Sequence, residues 1–245
     1  MNKIGGKEIF LIQLERMKTA KTVDQTVIIT TTKKRDDVIV KLCRKNKISY
    51  YRGSETDLLD RHYQAAKKFK AEIAVKIPSD EPLIDPAVID LVIGTMQRNL
   101  NKYDFVSNLH PPSFPDGMDV EVMPFNILKI AWEKGKKPYE REHCTPYIWD
   151  NPRLFRIGNV ANQYGEMFLT HRWTLDYPED LEFFKAVFSA FKGKKNFTMK
   201  DVLNLLKKHP EIVAINAKHA GINWFRLVGN RLKTVDPKFY RKEKS

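Results

Sequence analysis

The sequence predicts an α/β fold built on a parallel sheet with helices on both faces. Three observations predict it. Helical and extended patterns alternate through the first hundred residues. The extended runs are short and rich in β-branched residues, as in strands covered on two sides. The chain has 245 residues, 42% of them hydrophobic, enough for a sizeable core without covalent staples.

Residues 8–20 place Ile9, Leu11, Ile12, Leu14 and Met17 on a helical stripe, with Glu15, Arg16 and Lys18 between them. Residues 26–31 read Thr-Val-Ile-Ile-Thr-Thr, a buried strand. Residues 36–45 form a helix with Val38, Ile39, Leu42 and Cys43 on one side, and 48–51 a short strand. A helix over 57–69 and a strand over 72–77 follow, the strand stopping at Pro78-Ser79-Asp80-Glu81-Pro82. Pro86 opens the next helix, with Val88, Ile89 and Val92 inside. Crossovers in such a sheet are right-handed, and ligands gather at the carboxyl ends of the strands, where Asp80 lies.

The middle of the chain reads differently. Residues 103–109 and 118–123 are extended and joined by 110–117, whose three prolines and one glycine exclude a helix. A projecting hairpin or arm is expected there. Residues 125–133 read as a helix, 154–160 and 170–175 as strands, and 178–191 and 199–208 as helices, the last capped by Thr198. The chain divides into residues 1–192 and a C-terminal helical extension with a basic tail, 193–245.

The net charge is +13, and 218–245 carries eight Lys or Arg against two acids. Such a tail is usually a solvated flank; nucleic-acid binding is the least favoured reading. The two cysteines, Cys43 and Cys144, exclude a disulfide scaffold and a Cys-rich zinc site and suit a reducing cytosol. No apolar run approaches the ~20 residues that span a bilayer, and residues 1–7 lack the apolar core of a signal peptide. No Walker A loop, dinucleotide fingerprint, zinc-protease motif or nucleophile elbow occurs.

Five runs carry more. They are Arg52-Gly53-Ser54-Glu55-Thr56-Asp57-Leu58-Leu59-Asp60-Arg61, Ile77-Pro78-Ser79-Asp80-Glu81-Pro82-Leu83-Ile84-Asp85-Pro86, Phe114-Pro115-Asp116-Gly117-Met118-Asp119-Val120-Glu121-Val122, Glu140-Arg141-Glu142-His143-Cys144-Thr145-Pro146-Tyr147, and Arg172-Trp173-Thr174-Leu175-Asp176-Tyr177-Pro178-Glu179-Asp180-Leu181-Glu182. In order and spacing the chain from about Lys3 to Ile215 resembles the cytidylyltransferases of the spore coat polysaccharide biosynthesis type. These are related to the acylneuraminate and 3-deoxy-manno-octulosonate cytidylyltransferases. The resemblance implies a Rossmann-like nucleotidyltransferase with a mixed sheet, a projecting β arm and a helical C-terminus. It also implies a cytoplasmic enzyme that joins CMP from CTP to an acidic sugar, using Mg²⁺ and releasing pyrophosphate. The arm around Phe114 is then expected to serve a homodimer.

One departure stands out. The family opens with a strand and a loop of Gly, Ser, Arg and Lys that wraps the CTP triphosphate, and Met1 matches a position just after that loop. A late-recorded start or a truncated gene is expected, with the neighbouring strand edges left unpaired at a cost of ~1–3 kcal/mol per buried group. An inactive homologue serving as a binding partner, or a nucleotide-sugar glycosyltransferase, are the alternatives.

A hard divalent ion wants carboxylate oxygens. Asp80, at a strand end, and Asp176, after Leu175, are the expected pair, and the resemblance places the family's metal aspartates there. Each also suits a cap for the helix that follows. Gly53 and Ser54 are expected beside the base and ribose, or else in a tight turn. Arg61 is expected to reach a phosphate or to pair with Asp57 at i, i+4. The resemblance turns Asp116, Glu121, Arg141, Glu142 and His143 toward the acceptor sugar, with Arg141 apt for its carboxylate.

Overall fold

The computed structural model describes residues 2–192, 194 and 196–241. A two-residue hairpin, β1 (Lys3–Ile4) and β2 (Lys7–Glu8), leads into α1 (Ile9–Met17), which buries Ile9 and Leu14. Then come β3 (Val27–Thr31), α2 (Asp37–Lys45), β4 (Ser49–Gly53), α3 (Leu58–Lys68), β5 (Ile73–Lys76) and α4 (Pro86–Arg98). Each lies within two or three residues of its place in the sequence pattern. The middle supplies β6 (Phe105–Ser107), β7 (Glu121–Pro124), α5 (Phe125–Lys134), the short helices α6 (Pro138–His143) and α7 (Pro146–Trp149), and β8 (Ile157–Asn159). The chain continues through α8 (Pro178–Ala190), α9 (Met199–Lys208), α10 (Pro210–Ala214) and α11 (Phe225–Val228). Thr198 and Asp201 form the expected cap of α9, reciprocally bonded.

The sheet is mixed and lies in two parts. β3 and β4 pair in parallel, Val27 opposite Ser49 and Thr31 opposite Gly53. The other part runs β5-β7-β6-β8, with β7 antiparallel to both neighbours and β8 parallel to β6. Among the described residues, β3 and β5 each have one edge without a strand partner. The expectation of a parallel sheet thus holds for two pairs and fails at β7. That strand sets Glu121 opposite Lys76.

Three expectations are corrected. Residues 112–118 do not project; they are buried. Phe114, 5% exposed, packs in the main core with Met118 and Trp173, so its ring is not available as a dimer contact. Burial of these apolar side chains outweighs extension into water. The strand expected over 170–175 is reduced to one bridge, Asp116 to Arg172. There Gly117 (φ +108°) lies so close to the crossing chain that an added Cβ would stand 2.2 Å from the Trp173 carbonyl oxygen. Finally, residues 218–241 are not a solvated flank. Phe225 and Phe239 are buried in one cluster with Trp149 and Phe168, and the amides of Lys233 and Thr234 donate to Asp150 Oδ1 at 2.6 and 2.9 Å. Aromatic residues interleave with the cations, so the apolar bodies are covered while the charged tips reach water.

Candidate active site

The loop after β5 is tied to the segment before α8. The amide of Leu175 donates to the Asp80 carbonyl at 2.9 Å, and Thr174 Oγ1 donates to Asp80 Oδ2 at 3.0 Å. Asp176 follows directly, so the two expected aspartates come together. Neither caps a helix. Asp85 caps α4 by accepting from the Ala87 amide, and Asp180 accepts from the amides of Asp176 and Tyr177 at the start of α8. Burial and the charge of Asp176 push the Asp80 carboxyl above its ordinary range.

More carboxylates flank the pair. Asp116 is buried and crosses Arg172, whose Nη1 stands 3.8 Å from its Oδ2. Burial and nearby Asp119 raise its pKa well above the usual value. Asp119 donates its amide to Glu81 Oε2 at 3.0 Å; burial, with Glu121 and Asp80 nearby, pushes its carboxyl to about 7 against the pull of Lys76. Glu121 is held differently. It forms a buried ion pair with Lys76, accepts from Thr145 Oγ1 at 2.6 Å, and has His110 Nε2 at 3.7 Å. Burial alone would raise its pKa, yet Lys76 and His110 hold it at about 2.

A second group of candidates gathers after β4 and along α3. Gly53 ends β4, and a Cβ there would meet Arg61 Cγ at 3.1 Å; the missing side chain lets the arginine stem lie alongside. Ser54 Oγ accepts from the Asp57 amide at 3.2 Å, and the Ser54 carbonyl accepts from Arg61 Nη1 at 2.8 Å. Ser54 therefore builds the turn, while Asp57 itself caps α3. The i, i+4 pair of Arg61 with Asp57 does not form. Arg141 takes Asp57 instead, with Nε at 2.9 Å, and also donates to the Trp132 carbonyl at 2.8 Å. Arg61 Nε is left buried with no hydrogen-bond partner among the described residues.

The remaining acceptor candidates, both on α6, have different surroundings. Glu142 is exposed on α6, and His143 stacks on Trp224 at 4.1 Å, its pKa lowered by burial. Sequence reasoning missed Lys76, Asp119 and Arg172 as members of the site. Signals were present: a lone Lys in an apolar strand needs a partner, and Arg172 precedes Asp176 and Asp180 by four and eight residues.

The donor set suits one ion. Among the described residues no three metal-binding side chains form a closed cage. Two carboxylates match Mg²⁺, which takes one or two and draws its other ligands from phosphate and water. A cation beside Asp80 would also offset the burial and repulsion that raise its pKa. Among the described residues no helix is long and apolar enough to cross a membrane.

A family model described as "Cytidylyltransferase" matches residues 1–211. The solved structure of a cytidylyltransferase from Leptospira borgpetersenii is similar at a TM-score of 0.82 and 33% identity, covering 86% of this chain and 87% of that one. The spore coat polysaccharide biosynthesis protein SpsF of Bacillus subtilis is 26% identical over 86% of this chain and 88% of its own. A 3-deoxy-manno-octulosonate cytidylyltransferase of Chlamydia trachomatis is 26% identical over 74% of this chain and 71% of its own.

Proposed function

Since the chain belongs to the cytidylyltransferase family, we propose that it transfers CMP from CTP to an acidic sugar for surface polysaccharide synthesis. The sugar hydroxyl attacks the α-phosphorus, the bond to the β-phosphate oxygen breaks, pyrophosphate leaves and the hydroxyl proton is released. The observation that carries the reading is the meeting of Asp80, in the loop after β5, with Asp176, just before α8, both spared from helix capping.

Asp80 and Asp176 would hold Mg²⁺, which when bound offsets the charge of the triphosphate. Gly53 and Ser54 lie beside the nucleotide in this reading, and the unpartnered Nε of Arg61 donates to one of its oxygens. Asp116 and Glu121 lie on the acceptor side. Arg141 is the cation for the acceptor carboxylate, exchanging Asp57 for it, with Glu142 and His143 on the same helix. The acid class follows the Chlamydia relative, a 3-deoxy-manno-octulosonate cytidylyltransferase, whose name is that of a sugar acid. A cytoplasmic setting suits two buried, unpaired cysteines.

The test is pyrophosphate release from CTP and Mg²⁺ with a panel of sugar acids and their neutral counterparts. Release with an acid and not with its neutral counterpart supports the proposal. Release with neutral sugars alone overturns the acceptor class, and no release with any sugar overturns the activity.

A further inference from the structure

Behind Asp176 lies a polar cluster that helix capping alone does not require. Arg172 is 1% exposed. Its Nη2 donates to Asp176 Oδ2 at 2.6 Å and to Asp180 Oδ2 at 3.0 Å, and its Nε donates to Asp180 Oδ1 at 3.0 Å. Its Nη1 donates to the Ile222 carbonyl at 2.8 Å. Asp180 is itself fully buried. Asn216 closes the back of the cluster, donating from Nδ2 to the Arg172 carbonyl at 3.0 Å and to Asp180 Oδ1 at 2.9 Å. By contrast the Asp176 side chain is 52% exposed.

A buried Arg and Asp lose much solvation, and an apolar pair of the same volume often serves stability as well. What an apolar pair cannot do is hold a half-exposed carboxylate by one oxygen. We propose that Arg172 is a positioning residue for Asp176. It fixes Oδ2 from behind and leaves Oδ1 turned to the ion shared with Asp80, and the segment carrying Asn216 and Ile222 locks the guanidinium in place. The C-terminal part of the chain is therefore a structural component of the reaction centre. This inference rests on the metal-binding reading of Asp80 and Asp176 given above.

The test measures Mn²⁺ binding by electron paramagnetic resonance, with CTP present and no acceptor, so that no turnover is needed. Asp176→Asn, Arg172→Lys and Asn216→Ala are compared with the unaltered protein, each checked for folding by circular dichroism. Outer partners of metal ligands typically tune affinity about 10–100-fold. Arg172→Lys keeps the charge but loses the planar fork, and is expected to weaken Mn²⁺ binding by about tenfold. Asn216→Ala is expected to weaken it by a smaller factor in the same direction, and it decides the matter if Arg172→Lys does not fold. Unchanged Mn²⁺ affinity in folded Arg172→Lys, or in Asn216→Ala when that variant decides, with weakened binding in Asp176→Asn, overturns the role of Arg172 alone. Unchanged affinity in Asp176→Asn overturns the metal reading and the inference with it.

Discussion

The β3–β4 pair and the four-stranded sheet differ in almost every physical respect. In β3 and β4 nearly every residue is only half-buried, whereas β6 and the first three residues of β7 are buried throughout. Under β3–β4 the buried residues of the local cluster are Leu14, Cys43 and Ile48, while the four-stranded sheet lies against a deep core that includes Ile89, Val106, Met118 and Trp173. Charge divides the same way. Arg52 lies near the end of β4 and Arg61 on α3, and the loops after β5 and before β7 carry Asp80, Asp116 and Asp119. In the thick part, burial disfavours the charged form of Asp80, Asp116 and Asp119 and raises their pKa values above the ordinary range.

Substitutions in the two parts test this contrast. Gly117→Ala forces a Cβ against the Trp173 backbone at a positive φ, in the thick part, and is expected to cost about 4 kcal/mol or more of stability, read by urea denaturation. Ile89→Ala is expected to cost about 2–5 kcal/mol, and Leu14→Ala to fall at the lower end of that range, because the smaller cluster collapses more readily around a cavity. Equal losses would erase the distinction between the two cores.

The two groups of site residues separate in kinetics. Asp80→Asn is expected to lower kcat by about 100-fold, more than loss of an outer partner. Yet the metal-free variant should melt no lower than the unaltered protein, since the native environment disfavours the charged Asp80. Arg61→Ala is expected to raise KM for CTP by about tenfold, the worth of a charge-assisted hydrogen bond of ~1.5 kcal/mol, with kcat less affected.

Acidity gives the smallest effect. Asp119 holds its proton up to about 7 in the native state, whereas an unfolded chain releases it near the ordinary value of 3.8. Between these limits the native state holds the Asp119 proton and the unfolded chain does not, so the Asp119 contribution to stability declines as pH rises from 4 to 7. His62, lowered to about 4 by burial, pulls the other way over that window, so the Asp119 part is read in EDTA as the difference between the unaltered protein and Asp119→Asn. Glu121, held at about 2, acts in the opposite sense. Its contribution is complete above its ordinary value of 4.5 and is lost as the pH falls toward 2. A pH profile that Asp119→Asn leaves unchanged between pH 4 and 7 counts against the raised Asp119 carboxyl.

Local patterning made the regular elements legible. The stripe of α1, the β-branched run of β3 and the Pro that opens α4 are all signals that neighbours in sequence supply. The inverted direction of β7 is not such a signal, because strand direction depends on the path of the connecting chain. The prolines of 110–117 exclude a helix whether the segment projects or folds inward, and only the core around Phe114 decides between them. At the site, the pairing of Asp80 with Asp176 was legible from motif order. The exchange of partners that gives Asp57 to Arg141 was not, since those residues lie 84 positions apart.

The clamp of Asn216 and Ile222 on Arg172 has a consequence for engineering. The family model ends at residue 211, before either of these contacts. A chimera that grafts the last thirty or so residues of a relative onto this chain would inherit a foreign lock on Asp176 while every matched motif stayed native. On the metal reading proposed above, such grafts are expected to retune ion affinity while Asp80 and Asp176 stay in place.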